Sequence, residues 1–222
     1  RCRVASHPNR PAPIGTRSID NAVVPKMSRA EISSYDGVPT LHIGDQPVSG
    51  LTYMTYRLAE KHVQQFSDCG VDLVSFGTCC GVHPYRLAAP TWIAPDEHDF
   101  SQCDARITRI LSANPEAKLI VRCYIASPPW WAALHPDECV VGVDHEGQPV
   151  AYEEPKGYRP GSWASERWRA DMGDAFRRFV RHLRSAPYAA HVIGIMPCSG
   201  TTEEWMFPGS NVVMPADFSA AT

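Results

Sequence analysis

The chain has 222 residues, 44% hydrophobic and 20% charged, with a net charge of -3. That is enough for one domain with a substantial core, and the balance argues against disorder. Basic and acidic residues are interspersed and no apolar run approaches the roughly 18 residues of a membrane span, so neither a nucleic-acid groove nor a membrane partner is expected.

Residues 1–38 are rich in Pro, Arg, Asn and Ser without periodicity and read as an extended, poorly structured lead-in. Order is expected from residue 39 to residue 222. It opens with Thr40-Leu41-His42-Ile43, a Gly44-Asp45 turn and Gln46-Pro47-Val48, which is hairpin chemistry. Residues 51–56 suit a strand. The following helix places Leu58, His62, Val63, Phe66 and Cys69 on one face and stops at Gly70. A second strand covers residues 71–76 and is expected to end at Gly77. A long loop leads to a helix starting near Asp99 or Ser101, with Cys103, Ile107, Ile110 and Leu111 inward and Asn114-Pro115 as its stop.

The third strand is predicted over residues 118–124, and a loop of nearly forty residues follows, containing Pro128-Pro129-Trp130-Trp131. Ser165 is the expected N-cap of the clearest helix, whose stripe is Trp168, Met172, Phe176, Phe179, Val180 and Leu183. The fourth strand covers residues 191–196. Strands alternating with helices, and near-continuous apolar strands, predict an α/β fold with a parallel sheet. The turn after the first strand carries no glycine fingerprint for a nucleotide, and the long loops all follow strands. Both features favour a (β/α)₈ barrel with its site at the carboxyl ends of the strands.

Glu203 and Glu204, directly after the fourth strand, are the sharpest chemical feature. Glycosidic cleavage needs one carboxylic acid to protonate the leaving oxygen and a second carboxylate to attack or to activate water. Trp205 could supply the apolar wall that raises the acid's pKa. The competing reading is two solvated glutamates in a surface loop. Tyr124, Trp130, Trp131, Trp163 and Trp205 crowd the same edge, where sugar rings stack on aromatic planes; each could equally serve packing. Arg122, in an apolar strand, needs a carboxylate, either as orienter of a catalytic group or as a structural pair.

The histidines, His83, His98, His135 and His145 among them, are scattered without ligand spacing, so no metal or other cofactor is expected. A metal-dependent hydrolase built from loop His, Cys and Asp residues is the rival enzyme. The eight cysteines show no C-x-x-C spacing and favour reduced structural thiols and a cytoplasmic location.

The run Ala126-Ser127-Pro128-Pro129-Trp130-Trp131, then His135-Pro136-Asp137-Glu138 and Asp144-His145-Glu146-Gly147, resembles the third-strand loop of bacterial β-galactosidases of glycoside hydrolase family 42. So do Gly161-Ser162, Ser165, Trp168-Arg169, Ser185, Tyr188 and Val192-Ile193-Gly194. The likeness spans roughly residues 39–219. It implies a retaining β-glycosidase acting on a carbohydrate, with the acid/base after strand four at Glu204 (or Glu203) and the nucleophile after strand seven. Glu203 stands where the family usually has Asn, and Trp163 where it often has Arg, so a divergent relative is implied. The terminal Asp217-Phe218-Ser219 reads as the start of another helix, so the chain is expected to hold only the first four β/α units. Such a half-barrel leaves sheet edges unpaired and would persist within a larger protein or as a homo-oligomer. A catalytically inactive half-barrel that binds sugars or assembles with a partner is the non-enzymatic alternative.

Overall fold

The computed structural model describes residues 26–83, 85–153, 159–200, 203–205 and 216–220. The chain enters through β1 (Ala30–Tyr35), β2 (Val38–Ile43) and β3 (Gln46–Val48), an antiparallel three-stranded sheet. The predicted β2–β3 hairpin is present, with Gly44 at φ +62°. The expectation of an unstructured lead-in to residue 38 fails from Ala30 onward. Asp36 and Gly37 both take positive φ, 51° and 81°, and close a two-residue turn between the paired Tyr35 and Val38. Asp-Gly is a strong signal for a hairpin turn, because both central residues must enter the left-handed region.

The main body alternates β4 (Thr52–Thr55), α1 (Glu60–Asp68), β5 (Leu73–Cys79), the short pair β6 (Trp92–Ala94) and β7 (Glu97–His98), α2 (Ser101–Ala113) and β8 (Lys118–Tyr124). It continues through α3 (Pro129–Leu134), β9 (Val141–Val143), β10 (Pro149–Ala151), α4 (Glu166–Ser185) and β11 (Val192–Cys198). Four strands form one parallel sheet in the order β11-β8-β5-β4, which is simply their order along the chain. The fold is mixed α/β, with α1, α2 and α4 in the connections. The long loop after β8 holds α3 and the β9–β10 hairpin as structure of its own.

Every residue of β5 is buried, as expected for a strand covered on both faces. Gly77 lies inside β5 rather than ending it, paired in register with Arg122. A Cβ there would stand 3.6 Å from Glu203 Oε1 and 4.0 Å from an Arg122 guanidinium nitrogen. Those are ordinary van der Waals distances, so this position lies directly against the two charged groups.

Ser165 caps α4 as predicted: its Oγ accepts the Trp168 N–H at 2.9 Å and donates to Glu138 Oε2 at 2.5 Å. The buried stripe of α4 is Trp168, Met172, Ala175, Phe179 and Leu183, whereas Phe176 and Val180 sit at its margin. Full burial of a Phe, Leu or Met side chain contributes roughly 1.5–3 kcal/mol, so this stripe is a main anchor of the helix. On α1, Val63 alone is fully buried; Phe66 is half-exposed and stacks on Tyr53 at 4.4 Å. The predicted face is thus only partly covered, because α1 lies beside β4 at the sheet's edge.

The seven described cysteines are all free; six are buried and Cys69 is exposed. Among the described residues, no helix is long and apolar enough to cross a membrane.

Candidate active site

The parallel strands bring their carboxyl ends to one edge, and a charged cluster is built there. Arg122 enters from β8, in register with Gly77 of β5 and Met196 of β11. Its side chain is 2% exposed. One guanidinium nitrogen donates to Glu203 Oε2 and the other to the Thr55 carbonyl at the end of β4, at 2.8 Å. The Tyr56 ring lies under the guanidinium, 4.7 Å from its central carbon. Arg122 thus ties three strands together through their ends. Of its two sequence readings, the structure supplies the carboxylate partner common to both.

Glu203 side chain is 5% exposed, and it follows β11 in a tight turn. Glu203 and Trp205 both have positive φ, 74° and 55°, on either side of Glu204. Two non-glycine residues in the left-handed region within three positions is a local strain of the kind that collects at functional sites. The turn is held by the Trp205 N–H to the Ser199 carbonyl at 2.9 Å and the Trp205 indole N–H to the Pro197 carbonyl at 3.1 Å. The result separates the glutamates: Glu203 points inward to Arg122, whereas Glu204 is exposed.

The aromatic residues divide as well. Trp205 is 44% exposed, and its ring packs against Trp163 at 5.4 Å and 56°. Trp205 directly follows the exposed Glu204 in the chain. Trp131 is 1% exposed and donates its indole N–H to Asp171 Oδ2 at 2.9 Å, so it belongs to the core and offers no face to a ligand. Tyr124 is likewise buried, and its hydroxyl donates to the Gly200 carbonyl, bracing the strand that leads to the glutamates. Trp130 is partly buried, edge-on to Trp92 at 4.9 Å. The Tyr124 and Trp131 rings are thus used in packing, while Trp130 keeps part of its surface open.

One residue of the cluster has no spacing in the sequence that marks it. His83 is 3% exposed, and its Nε2 lies 3.7 Å from Glu203 Oε1. Nothing in the stretch Cys80-Gly81-Val82-His83 announces this, because the approach is made across the sheet. Nearby, burial pushes the Cys198 thiol up to about 12, with the Glu203 carboxylate adding to the shift and Arg122 opposing it. Among the described residues, no group of three or more His, Cys, Asp or Glu side chains is placed to hold a metal ion.

No family model matches the sequence. No curated protein matches it either. Among solved structures, the chain is similar to a β-galactosidase from the psychrophilic Marinomonas ef1, with 17% identity and a TM-score of 0.44. The match covers 66% of this chain and 21% of that one, so the chain spans about a fifth of that enzyme's length.

Proposed function

We propose that this chain is the amino-terminal part of a retaining β-glycosidase, its four parallel strands forming the first half of a (β/α)₈ barrel. Strand order equal to chain order is what a barrel requires, whereas a doubly wound sheet reverses direction at a switch point. The observation that carries the reading is the turn after β11, which buries Glu203 against Arg122 and leaves Glu204 exposed beside Trp205. The likeness of the loop sequences to family 42 β-galactosidases points the same way.

In this reading Glu204 is the acid/base. Its carboxylic acid gives a proton to the glycosidic oxygen as the bond to the anomeric carbon breaks, and a second carboxylate, outside these four strands, takes the glycosyl group. Glu204, now a carboxylate, then removes a proton from the water that releases the sugar. Glu203 and Arg122 hold the turn, and Trp163 with Trp205 receives a sugar ring.

General acid–base catalysis contributes about 10²–10⁴-fold. In the protein that carries this chain, Glu204→Gln should slow hydrolysis of alkyl β-glycosides by that amount and of activated aryl β-glycosides much less. Equal losses for good and poor leaving groups would remove Glu204 from the acid role. Sugar binding without turnover on any β-glycoside would favour the binding-module reading instead.

A further inference from the structure

We infer that His83 is a positioning residue that completes the seat of Glu203, aiming its Nε2–H at the carboxylate oxygen that Arg122 does not use. The backbone N–H of Tyr85 points at His83 Nδ1, at 3.2 Å. That nitrogen must accept, so in the neutral ring the proton sits on Nε2. Nε2 and Glu203 Oε1 are both fully buried and both lack a hydrogen-bond partner among the described residues. They face each other at 3.7 Å. A donor with no acceptor and an acceptor with no donor among the described residues, so close together in a buried site, are matched to one another.

The surroundings aim the ring. His83 packs on Tyr124 at 5.4 Å, and the Tyr124 hydroxyl is bonded to the Gly200 carbonyl, three residues before Glu203. Gly81 lets the loop after β5 press against the backbone of residues 126–128, where a Cβ would overlap the Ala126 carbonyl oxygen and the Pro128 nitrogen. This close approach places His83 over the end of β8. Glu203 is then flanked on both sides, Oε2 bonded to Arg122 and Oε1 faced by His83, which restrains the side chain next to Glu204.

The consequence for catalysis rests on the glycosidase reading; the polar contact itself does not. Glutamine can place an N–H near the position of a histidine Nε2, whereas asparagine reaches only as far as Nδ1. A misplacement of about 1 Å in a catalytic group can cost up to about 10²-fold. His83→Asn and His83→Phe should therefore lower kcat by at least about tenfold with KM nearly unchanged, and His83→Gln should recover most of it. Independently of any substrate, nitrogen NMR of the wild-type protein should show His83 protonated at Nε2. Glu203→Gln should move that proton's resonance. An Nδ1–H tautomer, or an Nε2 proton indifferent to Glu203→Gln, would overturn the inference even in an active glycosidase. With the NMR signatures in place and no glycoside hydrolysed, the function would fail and the seat would stand.

Discussion

Replacing Arg122 with methionine removes three contacts at once: the bond to Glu203, the bond to the Thr55 carbonyl and the cation over Tyr56. The first dominates. The two side chains are 2% and 5% exposed, so Glu203 would be left as a buried carboxylate with no counter-charge. Breaking a buried pair by deleting one partner costs about 3–5 kcal/mol. The Thr55 carbonyl adds less, because Thr55 is only half-buried and water can replace the guanidinium there. Against a typical stability of about 5–15 kcal/mol the variant should stay folded with a clearly lower urea midpoint. The double variant, Arg122→Met with Glu203→Gln, carries no stranded charge and should be more stable than Arg122→Met alone. Equilibrium urea unfolding, followed by tryptophan fluorescence at pH 7, measures all four corners of the cycle. A coupling of at least about 2 kcal/mol is expected. Additive losses, or an Arg122→Met cost below about 1 kcal/mol, would refute the buried pair as the organiser of this edge.

Ser165→Ala removes the N-cap of α4 and a bond to Glu138, and should cost about 1–2 kcal/mol of unfolding free energy in the same assay. Gly81→Ala drives a methyl group into the backbone of residues 126–128; backbone cannot yield as a flexible side chain can, so the cost should exceed the roughly 1–3 kcal/mol of ordinary overpacking. Burial pushes the thiols of Cys103 and Cys198 up to about 12 from the usual 9.0. The folded protein keeps those protons while the unfolded chain releases them above pH 9, so stability is complete below pH 9 and is lost as pH rises towards 12. The two thiols should each contribute a loss of about 1 kcal/mol by pH 10, read as a falling urea midpoint that Cys198→Ala makes shallower.

The body of the fold was legible because its signals are local. The strand predicted over residues 118–124 coincides with β8 (Lys118–Tyr124), and the α4 stripe and its Ser165 cap are where periodicity put them. The β1–β2 hairpin was missed for a physical reason. The polar, proline-rich composition of the first residues outweighed the Asp36-Gly37 pair, although positive φ at two consecutive positions depends on the turn residues and hardly on hydrophobicity. Gly77 points in the opposite direction: glycine often punctuates a strand, but here it lies inside β5, in register with Arg122.

The site divides along the same line. That a carboxylate would follow the fourth strand, and that Arg122 would need an acid, could be read from residue types and their positions in the strand pattern. Which glutamate turns inward could not. That choice is made by the positive φ at Glu203 and Trp205, and by Arg122 arriving from a strand 81 residues earlier in the chain. The aromatics are ambiguous in sequence for a related reason. Burying a large ring and stacking a sugar on it draw on the same residue types, and only exposure separates Trp131 from Trp205. His83 is the limiting case. It has no motif and no spacing, and its role exists only because Gly81 lets one loop lie against another. An arrangement assembled from three strand ends can be found by asking which buried polar atoms still lack a partner, a question that arises only once the chain is folded.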